Sequence, residues 1–353
     1  MQQAGLQACL FTHLPDVRWL CGFSGSNAAL ALVATKSGMR AALFTDGRYT
    51  AQAREEAAGT RVIIPKKKSA LVAACQWLAE SGAVKCGVDA AHTTLAELKW
   101  MKKAVASGRR RILFKPIASL VARQREIKDA DEILKMREAA LTGCLLFELI
   151  REHIRPGATE IEVAAELEHA ARMAGAEAMS FETIVAGGVR SSLPHGRATM
   201  ARLPRKGFVT LDFGVMLNGY CSDMTRTVHL GRATRAERDA YDSVLEAQQA
   251  AVAAVAPGVT CGKVDAAARS VLKKAGLAKW FTHSTGHGVG IEIHEGPRIA
   301  AKQKQKLQAG MVITIEPGIY IPGRFGIRIE DMVLVTKTGN EILTPSPKTW
   351  MEL

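Results

Sequence analysis

The chain has 353 residues, of which 48% are hydrophobic and 23% are charged, and its net charge is +13. This length allows two domains with a core each, and the balanced composition excludes a disordered or fibrous protein. No apolar run reaches the roughly 18–20 residues that span a bilayer, and residues 1–15 lack a basic-then-apolar signal pattern. We therefore expect a cytoplasmic protein without membrane association.

Seven cysteines are scattered along the chain, and none forms a Cys-x-x-Cys pair. This pattern argues against a disulfide framework and against a thiolate zinc site, so we expect reduced thiols. Short basic clusters stand at Lys66–Lys68, at Arg109–Arg111 and between Lys302 and Lys306. They lie far apart and lack interleaved aromatic residues that could stack on bases, so we predict no nucleic-acid partner.

The first third of the chain alternates between strand-type and helix-type segments. The predicted strands are 29–34, 40–45, 61–65, 85–88 and 112–116. The predicted helices are 70–80 and 95–105. This alternation indicates a small α/β domain.

A charged stretch from Arg123 to Lys128 follows this domain. Directly after it, Asp129 with Glu132 three residues later is a capping pair, which predicts the start of a helix. We place the boundary at this point and predict domains at residues 1–122 and 123–353.

The second domain contains an internal repeat, which constrains its architecture. The repeated segments are Pro156-Gly157-Ala158-Thr159 with Pro257-Gly258-Val259-Thr260, and Ala174-Gly175 with Ala275-Gly276. Each copy has the form of a turn, a capped helix and a glycine stop. The two halves are therefore expected to fold alike.

Each half also supplies two acidic residues next to apolar strand-type runs. Asp212 and Glu316 end such runs, whereas Asp223 and Glu330 stand at the start of the next ones. A pseudo-two-fold axis between the halves would bring all four together on the concave face of a curved antiparallel sheet. The predicted fold class is α+β, with helices flanking this sheet.

Four converging carboxylates repel one another unless cations lie between them. Divalent metal ions satisfy this requirement, and His287, flanked by Gly286 and Gly288, is the candidate imidazole ligand. We expect the glycines to let the backbone approach the metal closely. The ligand set suits two ions of Mn, Co, Fe or Zn, which would share a bridging water of lowered pKa.

Further histidines lie in short polar turns rather than on periodic apolar faces. His195 and His294 are of this kind, and such positions favour a functional role. Five other histidines have contexts typical of surface or packing positions, and we assign them no role: His13, His92, His153, His169 and His229.

The motifs of the second domain resemble those of the pita-bread metallopeptidases, family M24. They are Leu211-Asp212-Phe213-Gly214, Ser222-Asp223-Met224-Thr225-Arg226-Thr227, the loop 283–290, Glu316-Pro317-Gly318 and Arg328-Ile329-Glu330-Asp331. The additional histidines and the N-terminal motifs resemble Xaa-Pro aminopeptidases and Xaa-Pro dipeptidases (prolidases). Those N-terminal motifs are Phe23-Ser24-Gly25-Ser26-Asn27 and Thr45-Asp46-Gly47-Arg48-Tyr49. The resemblance implies a creatinase-like N-terminal domain and a homodimer.

The resemblance also implies a ligand set. Asp212 and Asp223 would bind one ion, Asp223, His287 and Glu330 the other, and Glu316 would complete the bridge. The implied cofactor is a pair of divalent ions, with Mn preferred and Co, Zn or Fe as alternatives.

The implied reaction is attack on the peptide carbonyl by hydroxide that bridges the ions, with Glu316 moving the proton. His195 and His294 would stabilise the oxyanion. Residues implied to hold the substrate are His283, which would line the proline pocket, Tyr320 and Arg328.

Several functions stay open at this point. We prefer an aminopeptidase that releases the residue before proline from peptides, and the first alternative is a prolidase restricted to dipeptides. A non-catalytic pita-bread binding protein is disfavoured because all five ligands are present. Methionine aminopeptidases have these ligands but usually lack the N-terminal domain.

Overall fold

The computed structural model describes residue 1, residues 5–106 and residues 111–353. The segment 1–15 and the basic cluster Arg109–Arg111 therefore fall partly outside the described residues. The chain forms two compact units, Met1–Arg125 and Glu126–Leu353.

The first unit contains a six-stranded mixed sheet. Its strands are β1 Ala8–Phe11, β2 Ala29–Thr35, β3 Gly38–Phe44, β4 Arg61–Ile63, β5 Lys85–Asp89 and β6 Leu113–Ile117, in the order β4-β3-β2-β1-β5-β6. The pairs β3–β4, β1–β5 and β5–β6 are parallel, and the pairs around β2 are antiparallel. The strands predicted from the sequence are thereby confirmed.

Helices of the first unit pack beside this sheet. They are α1 Leu14–Cys21, α2 Thr50–Glu56, α3 Ala70–Glu80, α4 Leu95–Ala106 and α5 Ala122–Arg125. The N-cap of α3 is Ser69, whose hydroxyl accepts a hydrogen bond from the Val72 amide and so satisfies one free donor of the first turn. Buried side chains of α3 and α4, including Leu78 and Met101, join those of the strands in one core.

The second unit contains two helix pairs. They are α6 Ala130–Ile150 with α7 Glu160–Met173, and α8 Arg235–Ala253 with α9 Cys261–Lys274. The predicted capping pair is confirmed at the start of α6, where Asp129 accepts from the Glu132 amide and Glu132 accepts from the Asp129 amide.

The strands of the second unit pair with one another in antiparallel fashion. Those of the first half are β7 Ala178–Met179, β8 Ile184–Gly187, β9 Gly207–Phe213, β10 Val215–Leu217, β11 Tyr220–Cys221 and β12 Met224–Leu230. Those of the second half are β13 Gly286–Gly288, β14 Glu295–Ile299, β15 Val312–Ile315, β16 Gly318–Ile321, β17 Phe325–Arg328, β18 Asp331–Val335 and β19 Asn340–Ile342. The central sheets run β12-β9-β8 and β14-β13-β15-β18-β19.

The internal repeat is visible in the backbone. Gly157 and Gly258 have φ values of 87° and 85°, and Gly175 and Gly276 have 91° and 72°, a region that favours glycine. The buried faces of α6 and α7 pack on β9 and β12, whereas those of α8 and α9 pack on β15 and β18. The predicted fold, antiparallel sheets flanked by repeated helices, is confirmed.

The caps of α8 and α9 allow a matched test of local stability. Thr234 accepts from the Glu237 amide at 3.3 Å in a capping box, whereas Thr260, the N-cap of α9, makes no side-chain capping bond. We expect Thr234→Ala to lower the free energy of unfolding by about 1 kcal/mol, and Thr260→Ala to have a smaller effect. Urea titrations of both variants check this, and equal losses would contradict it.

Candidate metal and peptidase site

The four acidic residues occupy equivalent positions in the two halves. Asp212 lies in β9, and Glu316 directly follows β15. The short hairpins β10–β11 and β16–β17 then return the chain to Asp223, directly before β12, and to Glu330, directly before β18. The antiparallel pairs β9–β12 and β15–β18 therefore hold the two carboxylates of each half side by side.

All four carboxylates line one cavity of about 630 Å³ in the second unit, together with His287. The ligand atoms of Asp223, His287 and Glu330 all lie within 4.8 Å of one another. The His287 Nε2 atom is 3.6 Å from Asp223 Oδ2 and 3.6 Å from Glu316 Oε1. The structure thus brings together the residues that the sequence analysis selected as ligands.

The orientation of His287 is fixed by its own strand. Its Nδ1 donates to the Gly288 carbonyl at 2.9 Å, so Nε2 is left with its lone pair facing the carboxylates. Burial lowers the pKa of His287 to about 4, so the ring is neutral at pH 7. A neutral imidazole aimed at carboxylates is the form that binds a metal ion.

The glycines beside His287 allow neighbouring strands to pack closely. A Cβ at Gly286 would lie 1.9 Å from the Thr314 carbonyl oxygen, and one at Gly288 would lie 1.9 Å from the Gly296 carbonyl oxygen. They allow β15 and β14 to pass close to β13. They therefore set the spacing of the sheet that carries His287, and the expectation that they let the backbone approach a metal stays a prediction.

Widening this sheet should displace His287. For Gly286→Ala we expect kcat/KM for the peptide hydrolysis that the sequence motifs imply to fall by about 100-fold. The Thr314 backbone cannot yield without moving β15, and a shift of about 1 Å has such an effect. Gly339→Ala is the control, since a Cβ there meets no atom of the described residues within 4 Å. Steady-state kinetics of both variants decide the point, and a fully active Gly286→Ala enzyme would contradict it.

The carboxylates repel one another strongly. Burial, followed by repulsion from Glu330, raises the pKa of Asp223 well above its usual range, and burial and Glu316 do the same to the pKa of Glu330. The pKa of Glu316 is raised to about 7, chiefly by burial. The site therefore favours the binding of positive charge.

Arg328 offsets part of this negative charge. Its guanidinium donates to Asp212 Oδ2 at 2.6 Å and to the Tyr320 hydroxyl at 2.6 Å. The other oxygen of the Asp212 carboxylate, Oδ1, is buried and accepts no hydrogen bond from the residues that the structure describes. One oxygen of Asp212 is thus oriented by Arg328 and the other is left for a further partner in the cavity.

The additional histidines also line the cavity. His283 Nε2 lies 3.0 Å from the Tyr320 hydroxyl, and burial together with Arg328 lowers its pKa to about 4. His294 stands edge-on to His287, with ring centroids 4.5 Å apart. His195 is exposed at the cavity wall. The predicted site residues therefore converge, and their individual roles stay predictions.

Comparison with known proteins agrees with this geometry. The family model for Metallopeptidase family M24 matches residues 134–337, and the model for the Creatinase/Prolidase N-terminal domain matches residues 1–127. The chain belongs to metallopeptidase family M24. The predicted enzyme class, a hydrolase, is confirmed with it.

Individual relatives in this family match nearly the full length. The uncharacterized peptidase YqhT of Bacillus subtilis is 39% identical over 347 residues, 98% of this chain and 96% of that protein. An Xaa-Pro dipeptidase from Bacillus anthracis has a TM-score of 0.94 at 39% identity, covering 100% of this chain and 96% of that one. An X-Pro aminopeptidase from Thermotoga maritima has a TM-score of 0.91 at 33% identity, covering 99% and 98%.

Family M24 implies divalent metal ions, and the residues of the site fit them. The unbonded Asp212 Oδ1, the aimed His287 Nε2 and the mutually repelling carboxylates are groups that a cation would satisfy. A set of oxygen atoms with one imidazole suits Mn²⁺, Fe²⁺, Co²⁺ or Zn²⁺.

The sequence analysis missed residues that hydrogen-bond to the predicted ligands. The Thr225 hydroxyl donates to Glu330 at 2.7 Å, and the Thr314 hydroxyl donates to Glu316 at 3.4 Å. Thr225 follows Asp223 by two positions and Thr314 precedes Glu316 by two, so the two threonines are not equivalent in the repeat, and the repeat could not have identified them as a pair. Met332 follows Glu330 by two positions, and its sulfur accepts from the Asp223 amide at 3.2 Å.

Two further predictions concern disulfide bonds and membrane-spanning helices. All seven cysteines are free thiols, as expected. Within the described ranges, no helix is both long and apolar enough to cross a membrane.

Proposed function

We propose that this M24 enzyme hydrolyses the peptide bond that precedes proline in short peptides. The observation that carries the proposal is the convergence of five ligand-type side chains and three further histidines in one cavity. The ligands are Asp212, Asp223, His287, Glu316 and Glu330. The catalytic part corresponds to the predicted domain 123–353, and residues 1–122 form the other domain.

The proposed cofactor is a pair of divalent ions, with manganese preferred. Asp212 and Asp223 would hold one ion, Asp223, His287 and Glu330 the other, and Glu316 would contact both. Such ions, when bound, polarise the scissile carbonyl and lower the pKa of water. Metal analysis is expected to find two ions per chain.

The chain's own residues supply the proton transfers. Glu316 takes a proton from the attacking water and delivers it to the nitrogen of the leaving proline. His195 and His294, on the cavity wall, donate hydrogen bonds to the carbonyl oxygen as negative charge develops on it.

The cavity also offers a place for the proline ring. His283 and Tyr320, joined by their hydrogen bond, form a polar wall, and Phe181, Ile184 and Ile293 supply apolar surface. Proline is compact and its tertiary amide has no N–H, so an apolar slot without an acceptor for that nitrogen favours it.

The length of the peptide depends on how its carboxylate is bound. Arg298 lines the cavity and is exposed, and it pairs with no acidic side chain in the described part of the chain. A free cation there suits the terminal carboxylate of an Xaa-Pro dipeptide. The similarity to the dipeptidase of Bacillus anthracis also supports dipeptides as substrates. Our preferred candidate is therefore a prolidase, in place of the aminopeptidase preferred from the sequence.

The aminopeptidase is the second candidate because the enzyme from Thermotoga maritima bears that name. The test compares hydrolysis of Ala-Pro with that of Ala-Pro-Ala-Ala in the presence of Mn²⁺. A prolidase cleaves only the dipeptide, and Arg298→Met should raise its KM by about tenfold with little change in kcat. Arg232→Met, an exposed arginine that does not line the cavity, is the control.

Other outcomes select other functions. Faster cleavage of the tetrapeptide identifies the aminopeptidase. No cleavage of either peptide and no bound metal would indicate a non-catalytic binding protein. A cytoplasmic homodimer is also proposed, and sedimentation of the purified protein tests the dimer.

A further inference from the structure

The loop that carries His195 is fastened at its base by one buried carboxylate. Glu160, in the first turn of α7, is 1% exposed and is not used for capping, since Thr159 and Glu162 form the capping box. It accepts from the Gly187 amide at 3.0 Å, at the start of the loop, and from the Thr199 amide at 3.0 Å, at its end. One side chain thus joins both ends of the segment 188–198.

Two more donors complete this anchor. The Arg190 Nε atom lies 3.0 Å from each oxygen of Glu160, and the Thr199 hydroxyl donates to Oε2 at 2.7 Å. The other end of the Arg190 guanidinium donates to the Arg197 carbonyl at 2.8 Å, across the loop. Every group that faces Glu160 in these contacts is a donor, so the carboxylate alone satisfies the set.

The tip of the loop reaches the active site. Arg328, which orients Asp212, also donates to the Pro194 carbonyl at 3.0 Å, and the Gly326 amide donates to the Ser191 hydroxyl at 2.8 Å. The His195 ring itself has no hydrogen-bond partner within the residues that the structure describes. The place of this ring over the cavity therefore depends on the backbone position of the loop that carries it.

We propose that Glu160 is a positioning residue, which holds the loop 188–198 so that His195 faces the scissile carbonyl. This inference rests on the proposed function, in which His195 stabilises the oxyanion. Replacing the carboxylate by an amide turns one acceptor oxygen into a donor that opposes the donors around it, without changing the shape of the side chain.

The first experiment measures the loop without reference to catalysis. Limited trypsin digestion of the full chain, followed by mass spectrometry, reports cleavage after Arg190 and Arg197. We expect Glu160→Gln to accelerate these cuts by at least about tenfold, because protected sites are cut through local opening. Glu166→Gln, exposed on the same helix, should digest like the wild type. Equal digestion of all three proteins would refute the anchor.

The second experiment is a double-mutant cycle on Ala-Pro hydrolysis. We expect Glu160→Gln to lower kcat by about 10- to 100-fold with KM nearly unchanged, since a small displacement of a catalytic group has such effects. In the His195→Ala background the same change should have no further effect. A full additional loss there would show that Glu160 acts on the fold in general.

A milder variant keeps the proposal testable if the Glu160→Gln protein does not fold. Thr199→Val removes the hydroxyl bond to Glu160 and the 3.2 Å bond that the hydroxyl accepts from the Ala201 amide, but it keeps the amide bond to Glu160. It should therefore shift digestion and kcat in the same direction by a smaller factor. If the wild type cleaves no Xaa-Pro peptide, the proposed function fails, and the digestion experiment still decides whether Glu160 anchors the loop.

Discussion

Replacing Asp223 by asparagine is expected to abolish peptide hydrolysis without destabilising the metal-free protein. Asp223 is 4% exposed and faces both His287 and Glu330, so its loss removes a ligand shared by the proposed ions. Metal ions supply several kcal/mol of transition-state stabilisation, and about 4 kcal/mol corresponds to roughly 10³-fold in kcat/KM. We expect a loss of at least that size.

The same substitution is not expected to lower the stability of the metal-free protein, because it relieves charge repulsion within the site. The pKa of Asp223 is higher in the folded chain than in the unfolded chain, so its carboxyl destabilises the metal-free protein above the ordinary pKa of aspartate. Asparagine keeps the shape and removes the charge. In thermal melts with a chelator, Asp223→Asn should therefore unfold at or above the wild-type temperature.

Melts with added Mn²⁺ complete this test. The wild type should be stabilised by the ion, as expected for a ligand that binds the native state, and Asp223→Asn should respond much less. Asp239→Asn, an exposed position on α8, is the control and should behave like the wild type in both melts. A strongly destabilised metal-free Asp223→Asn protein would show that this carboxylate has a structural role instead.

Removing Arg226 is expected to have the largest effect on stability. This side chain is 2% exposed and pairs with Asp331 at 2.9 Å. It also donates to the Ser346 carbonyl at 2.8 Å and the Pro347 carbonyl at 3.1 Å, which fastens the C-terminal segment to the sheet. Breaking a buried ion pair from one side leaves an uncompensated charge, so Arg226→Met should lose about 3–5 kcal/mol of unfolding free energy.

The other partners of Asp331 indicate that the loss of unfolding free energy in Arg226→Met lies in the lower part of this range. Gln248 donates to Asp331 at 2.8 Å, and Lys348 pairs with the same carboxylate, so part of its charge stays satisfied. Arg235→Met is the matched control, because its pair with Asp239 is exposed and such pairs contribute at most about 1 kcal/mol. Urea unfolding of the two variants measures the difference. Similar losses would contradict a dominant role for burial.

The convergence of the four carboxylates in one cavity could be predicted because the signals are local. Asp212 and Glu316 end apolar strand runs, and Asp223 and Glu330 begin the next strands, in two copies of one pattern. Because this pattern occurs twice, it predicts both that the two halves are related by symmetry and that their four carboxylates converge. The same holds for the caps at Asp129 and for the strands of the first unit, which depend on neighbouring residues.

The support around the ligands could not be predicted in the same way. Arg328 and Asp212 are 116 positions apart, and Asp223 and Met332 are 109 apart. The steric role of Gly286 could not be predicted for the same reason, since the atom that it accommodates belongs to Thr314 on another strand. Such contacts depend on how strands pack, and no local pattern encodes them.

The sequence by itself determined the chemistry of the site: which side chains can bind cations, that they occur in two related pairs, and that one histidine stands outside the repeat. The tertiary structure decided how these groups are used. It turns His287 Nε2 toward the carboxylates through the Gly288 carbonyl, assigns one oxygen of Asp212 to Arg328, and ties the His195 loop to Glu160. Residue types are properties of the chain, whereas the direction of a lone pair is set by partners that only folding brings within hydrogen-bond distance.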